Sequence, residues 1–473
     1  MDTNIAYVLM LGTLGFFGYV GYQAATEKEL DQDSYLSARG TQNSLKIGLS
    51  LFASGMGIWI LFGPSEVGYY GGFWDVVGYA LSASTPFLLL AYVGPMVRER
   101  LPNGVTLADY VRMRIGRPMQ IYVGIISVAY MFTFLFAEFT AIGKAMEILG
   151  NMDPLIPMVA VGVVTASYTA YGGLPASLRT DRWQAWVVLW LIVVLLLILF
   201  GGDVGSLISD AKAYNPEDDW SIGSMSYMDS FTSGLALVIA ITAAEMFSQG
   251  NWQRAWASED DEALKKGALL AAGLVLPLVF VMGVLGTVVA GQGAVDDPSA
   301  AFFNLIDDAH VLLIAAFVVL GIALVCSSVD TLQNAVVASI SRDLADGNMD
   351  LKQARIATLA MIPVAIYLAS TMDALSVFAI FLFADLLATA TVLPVFLTLW
   401  DRIDSRAALA GAICGLLSVV VYGTVTADLS TGIDYLTSPT NEYGLANLEV
   451  FLSALIGSGV VTIAGSEILA QSE

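Results

Sequence analysis

The stretch YTAYGGLPASLRTDRWQ, Tyr168 to Gln184, joins two strongly apolar segments, Leu155–Ala170 and Ala185–Phe200. Gly172 and Gly173 break the first helix, Arg179 and Arg182 flank a single acid, Asp181, and the second helix starts at once. A turn of this kind belongs between two membrane-spanning helices, with its arginines on the cytoplasmic side. An acid at the start of an apolar span is costly in lipid, so Asp181 reads as functional. The plainer reading is an incidental acid in a basic turn. It is the weaker one, because polar groups of the same kind recur in other spans.

Composition extends this reading to the whole chain. Of 473 residues, 57% are hydrophobic and 13% charged, against about 25% charged in a soluble domain. Apolar runs of about 20 residues, enough to cross a bilayer core, recur from end to end. The expected fold class is an all-α polytopic membrane protein with thirteen transmembrane helices, since a barrel would show short alternating segments. The whole chain, 1–473, forms one transmembrane domain: an extra helix at 4–24, a first core repeat at 44–201, a second at 230–400, and two extra helices at 406–468. The first apolar run has no basic segment before it and reads as a retained helix. With the N-terminus outside, every basic residue except Lys144 and Lys212 falls in a cytoplasmic connection or at its edge. That bias orients the protein in the cell membrane with its C-terminus cytoplasmic.

The net charge of −22 comes from acids on both faces, such as Asp203, Asp210 and Glu217–Asp219 outside and Glu259–Glu262 inside. Acids on both sides point to adaptation to a salty medium. No basic stripe is present for nucleic acid. Cys326 and Cys414 lie within helices, and His310 is the single histidine, so neither a disulfide framework nor a transition-metal cluster is suggested. Gly172-Gly-Leu lacks the ending of a phosphate-binding loop, and the longest non-membrane stretch, near 202–229, is too short for an enzymatic domain. Energy must then come from something other than ATP bound by this chain. Secondary transport is the leading class, and no motif supports an enzyme.

Broken helices locate the site. The second span carries Gly55, Gly57, Gly63 and Pro64; the seventh carries Gln249-Gly250-Asn251 near its end. These open the two five-helix halves, and interrupted helices at matching positions are a transporter's signature of its central site. Lipid-facing or close-packing glycines are the competing reading. The ninth span reads CSSVDTLQN from Cys326 to Asn334. Six oxygen-bearing side chains in eight positions, one a carboxylate, are expensive unless they face a cavity. Oxygen ligands of this kind suit Na⁺, whereas hydroxyls bonding back to their own helix would explain the serines but not Asp330.

The Y-x-x-Y-G-G-L…T-D-x-x-Q pattern, the C-S-S-x-D-T-x-x-N segment, F-A-S-G-M at 52–56, Gln253-Arg-Ala-Trp-Ala and the region 393–411 together resemble the sodium/solute symporter family. The resemblance implies a LeuT-like five-plus-five inverted repeat with one helix before and two after, and Na⁺ as the coupling ion. It implies a first sodium site from carbonyls of Ala53, Met56 and Leu324 and hydroxyls of Ser327 and Ser328. It implies a possible second site at Asp181, Asp330 and Thr331. Asp330 departs from the hydroxyl or amide common there, which strengthens the second site or makes a structural hydrogen bond, for example to Asn334. With both sites filled, two Na⁺ accompany each solute.

Trp59, Ile60, Glu138, Glu245 and Gln249 are the candidate solute ligands, with Glu66 and Asp385 beside them. The apolar Gly57-Ile-Trp-Ile-Leu argues against a sugar. Gly72-Phe-Trp, Pro102-Asn-Gly and Trp252-Gln-Arg-Ala look like the active urea transporters of the family, and proline remains open. The expected function is Na⁺-coupled import of a small, polar, mostly uncharged solute across the lipid bilayer by alternating access. The competing readings are a solute sensor, disfavoured by a tail that ends just past the last span, and a proton-coupled or uncoupled transporter.

Overall fold

The computed structural model describes every residue except 28–29, 202–204, 207–208, 211–227, 294, 308, 372–376, 442–444 and 473. The expectations placed on Lys28, Asp203, Lys212, Glu217, Asp218, Asp219 and Glu442 lie outside the described residues. Among those described there is no strand, and ten helices are long and apolar enough to cross a membrane. The all-α, many-helix class is the expected one.

The principal helices are α1 (Thr3–Thr26), α2 (Ser44–Gly55), α3 (Gly63–Arg100), α4 (Arg117–Gly150), α5 (Leu155–Gly201), α6 (Met228–Glu245), α7 (Gln249–Ala257), α8 (Asp261–Gln292), α9 (Val311–Ser339), α10 (Leu351–Thr371), α11 (Val377–Leu397), α12 (Ser405–Thr426) and α13 (Leu448–Ser472). Many of the chain's acids and amides start these helices. Asp2 caps α1, Asn43 caps α2, Asp260 caps α8 and Asp404 caps α12, each accepting backbone N–H bonds. An oxygen acceptor there satisfies otherwise orphaned donors, and an acid adds attraction to the helix dipole.

Two glycines turn continuous helical assignments into reversals. In α3, Gly72 has φ 72° and ψ −160°. A straight helix would separate Trp59 from Tyr79 by about 30 Å, yet their rings meet edge to face at 5.9 Å. In α5, Gly173 has φ 55° and ψ −148°. Tyr168 and Thr180, about 18 Å apart in a straight helix, both donate hydroxyls to the same Asp330 carboxylate oxygen, at 2.7 and 2.9 Å. The quoted glycine pair is therefore a hairpin, as the sequence suggested.

Gly173 is required twice over. Its positive φ costs a side chain about 1–2 kcal/mol, and a Cβ would fall 2.4 Å from the Tyr35 carbonyl oxygen. Gly173→Ala is expected to lower the thermal unfolding midpoint and to cost about 2 kcal/mol or more. An unchanged midpoint would remove the turn from the list of fold determinants.

Two breaks matter for the site. After Gly55, Met56 adopts φ −102°, ψ 81°, and a short 3-10 turn, Ile58–Leu61, leads into α3. Between α6 and α7 the chain breaks at Met246–Ser248, slightly before the expected Gln249-Gly250-Asn251. Those three begin α7 instead. Polar side chains after the break support it: Trp252 Nε1 donates to the Met246 carbonyl at 2.8 Å, and Asn251 Nδ2 to Glu245 Oε2 at 3.0 Å. Around these breaks α8 packs along α3, α6 crosses α3, and α9 lies against α4, α5 and the end of α2.

Candidate solute and ion site

The unwound turn after α2 leaves backbone N–H groups without helical partners. Glu138 on α4 takes them, accepting from Ile58 N at 2.9 Å and Trp59 N at 3.4 Å. The approach depends on Gly57, where a Cβ would fall 2.2 Å from Glu138 Oε1. Glu138 was expected as a solute ligand; the structure commits it to the backbone of the break, because a buried carboxylate goes where donors are otherwise orphaned. Ile60, also expected in the cavity, is wholly buried in packing and does not line it. Gln249 is likewise spoken for: Oε1 accepts from Leu107 N at 2.7 Å, and Nε2 donates to Ser127 Oγ and the Phe247 carbonyl.

The first-sodium candidates sit where α9 meets the broken end of α2. Ala53, Met56, Leu324, Ser327 and Ser328 are all buried. Leu324 precedes Ser328 by one turn on the same face. Ser327 donates to Asp181 Oδ1 at 2.9 Å, which leaves its lone pairs free. Ser328 Oγ is buried with no hydrogen-bond partner. An orphaned hydroxyl costs about 1–3 kcal/mol, and one beside a broken helix with loosened carbonyls has the chemistry of a Na⁺ ligand.

The second set is brought together, but with a partner the sequence reading missed. Asp181 and Arg254 form an ion pair at 2.7 Å with both side chains fully buried. Asp181 also accepts from Ser50 at 2.5 Å. Arg254 reaches Ser50 Oγ, the Gly250 carbonyl and Thr331 Oγ1 at 2.7, 3.0 and 2.7 Å. Asp330 accepts from Tyr168, Ser177 and Thr180 at 2.7, 2.6 and 2.9 Å. Asn334 bonds the Asp330 backbone carbonyl rather than its carboxylate. Two nearby acids need a cation between them, and here the protein supplies one. Arg254 had been counted among the charges of a cytoplasmic connection; it is an interior residue.

A cavity opens beside the first break, walled by Trp59, Tyr79, Tyr130, Phe134 and Phe381. Two acids face it, Glu245 from α6 and Asp385 from α11. Glu245 is oriented by Tyr130 Oη at 2.8 Å and by Asn251. Asp385 Oδ2 and Trp59 Nε1 are buried without partners. No basic side chain lines the cavity among the described residues. Of the cavity candidates, Trp59, Glu245 and Asp385 line this space.

Comparison with known proteins identifies the family and the fold. The sodium:solute symporter family model matches residues 35–415. The spermidine transporter DUR31 of Candida albicans is 30% identical over 434 residues, spanning 89% of this chain and 79% of that protein. Sodium/proline symporter 2 of Staphylococcus saprophyticus is 23% identical, spanning 89% and 86%. A Na⁺-coupled sialic acid symporter in a substrate-bound, outward-open state shares the fold with a TM-score of 0.75 at 16% identity, covering 98% of both chains. MhsT with L-phenylalanine gives 0.56 at 16% identity, covering 90% and 98%. With a match over most of its length, two broken helices and an oxygen-lined α9 between them, the chain belongs to the sodium:solute symporter family.

Proposed function

We propose that the solute this Na⁺-coupled symporter carries is a small organic cation, an amine. One observation carries the proposal: Glu245 and Asp385 face a single cavity that no basic side chain neutralises among the described residues. A buried, unpaired carboxylate is strongly disfavoured, so a positively charged solute is the natural counter-ion. The aromatic walls add cation–π attraction, about 0.5–2 kcal/mol per favourable contact. The Candida albicans relative is named for spermidine, an organic polycation. This reading departs from the expected uncharged solute; urea and proline become the competitors that the test must exclude.

The proposal includes the orientation read from the basic loops, with the N-terminus outside. It also includes thirteen passes divided into repeats at 44–201 and 230–400, supported by the two glycine reversals. Ser327, Ser328 and carbonyls of Ala53, Met56 and Leu324 hold the coupling ion. A membrane potential of about 100 mV contributes about 2.3 kcal/mol per charge, and a tenfold Na⁺ gradient about 1.4 kcal/mol. A monovalent amine moving with one Na⁺ therefore has about 6 kcal/mol available, and its uptake is steeper in voltage than that of a neutral solute.

Uptake of labelled spermidine, urea and proline into proteoliposomes, with and without a Na⁺ gradient, is the test. Na⁺-stimulated spermidine uptake without urea or proline uptake is expected. Transport of urea or proline alone would overturn the cation reading. Ser328→Ala is expected to abolish Na⁺ stimulation while Na⁺-free exchange of the same solute persists. An unchanged apparent Na⁺ affinity would remove Ser328 from the ion site.

A further inference from the structure

One buried acid has no role in this scheme. Asp75 lies three residues past the Gly72 reversal and one turn before Tyr79, which lines the cavity. It is 1% exposed, and among the described residues its carboxylate has only the Ser233 hydroxyl of α6 for a side-chain neighbour, short of good hydrogen-bond geometry. Ser233 on α6 is also 1% exposed, and its Oγ has no partner other than this acid among the described residues. Ser230 Oγ accepts from Asp75 N at 3.2 Å and donates to the Gly71 carbonyl. The carboxylate folds back over the turn because residue 71 is glycine, where a Cβ would fall 1.9 Å from Asp75 Oδ2.

The surroundings are tightly packed. A Cβ on Gly78 would fall 2.1 Å from the Gly234 carbonyl oxygen, and one on Gly234 would fall 2.3 Å from that of Trp74. Helices α3 and α6 thus cross backbone to backbone, with the acid at the crossing. Several kcal/mol oppose burying an uncompensated carboxylate in such a place. No Lys, Arg or His side chain among the described residues bonds it. Oxygens of two helices are at hand: Ser233 Oγ beside the carboxylate, Ser230 Oγ on the Asp75 backbone N–H, and the Gly71 carbonyl that Ser230 also meets.

We propose that Asp75, Ser233, Ser230 and Gly71 form a Na⁺ site at the α3–α6 crossing, separate from the one at Ser327 and Ser328. Hard oxygen ligands bearing one negative charge fit a small monovalent cation, and the Gly–Gly crossing leaves no room for an organic one. The site goes beyond the transport reading and does not depend on it. Its consequence for the cavity is mechanical. Na⁺ bridging α3 to the start of α6 fixes the relation between Tyr79 on one helix and Glu245 at the far end of the other, so the ion organises two walls of the solute cavity.

The test uses the purified full-length protein in detergent, without solute. Its thermal unfolding midpoint is titrated with NaCl while KCl keeps total salt constant. Wild type is expected to show two Na⁺-dependent components. Asp75→Asn and Ser233→Ala each weaken one of them by about tenfold or more; Ser328→Ala removes the other, and Asp75→Asn with Ser328→Ala removes both. If Asp75→Asn does not fold, Ser233→Ala keeps the measurement available, since it deletes only a hydroxyl. An Na⁺ titration unchanged in both Asp75→Asn and Ser233→Ala would overturn the site, as would stabilisation of wild type by acid in place of Na⁺. Loss confined to Ser328→Ala would sink this proposal and leave the coupling ion standing. Loss confined to Asp75→Asn and Ser233→Ala would do the reverse.

Discussion

Arg254→Gln is expected to prevent the protein from reaching a stable, monodisperse state. Asp181 and Arg254 are both fully buried, so removing the guanidinium leaves the carboxylate's charge uncompensated, with only the Ser50 and Ser327 hydroxyls to meet it. Breaking such a pair costs about 3–5 kcal/mol, out of about 5–15 kcal/mol in an ordinary domain. The loss is compounded because the same side chain holds Ser50 on α2, Gly250 on α7 and Thr331 on α9. One residue thus ties both broken helices to α5 and α9. Asp181→Asn together with Arg254→Gln removes the charge from both partners. The double variant is expected to recover much of the loss, since coupled sites are not additive. The checks are size-exclusion profile and thermal midpoint after purification in detergent. An Arg254→Gln protein as stable as wild type would show that Asp181 is not ionised beside it. A double variant no better than Arg254→Gln would show that the hydrogen bonds, rather than the charge, carry the effect.

That ion pair marks the boundary of what the sequence could disclose. The hairpin at Gly172-Gly173, the break after Gly55 and the oxygen-rich face at Ser327–Thr331 are local patterns, and short-range geometry obliges the chain to honour them. Arg254 stands 73 positions from Asp181, and nothing local distinguishes it from the basic residues of the connections. Its place in Gln253-Arg-Ala-Trp, between residues that also proved buried, was the available signal. Glu138 and Gln249, named as solute ligands, bond protein groups here for a related reason. Spacing identifies a polar group inside a span, but not whether it turns toward a cavity or toward backbone donors that a neighbouring helix has lost. The Ile58 and Trp59 donors that Glu138 takes exist only once the chain has unwound at Gly57, and the donor Gln249 takes, Leu107 N, opens a separate short helix. Asp385 shows the converse: an acid inside an apolar span already marked it as a cavity candidate, and it lines the cavity of Glu245 because α11 packs against α6.

Asp385→Asn is expected to separate stability from transport. The carboxylate has an unpartnered oxygen in an apolar, aromatic wall and no basic neighbour in the cavity. In the empty protein it is a cost, and the isosteric amide relieves that cost, so the thermal midpoint of Asp385→Asn rises above wild type. Stability is commonly given up in this way where binding needs an unsatisfied group. Transport moves in the opposite direction. Losing one partner of a desolvated charge pair costs about 2–5 kcal/mol, so kcat/KM for spermidine falls by about 30-fold or more. Glu245→Gln is expected to impair transport as well, but without the gain in stability, because its oxygens already accept from Tyr130 and Asn251. The two substitutions thus differ in sign on one axis and agree on the other. A fall in both midpoint and uptake for Asp385→Asn would mean that the acid is structural. A rise in midpoint with uptake unchanged would mean that the cavity acids do not meet the solute, and the cation reading would fail with them.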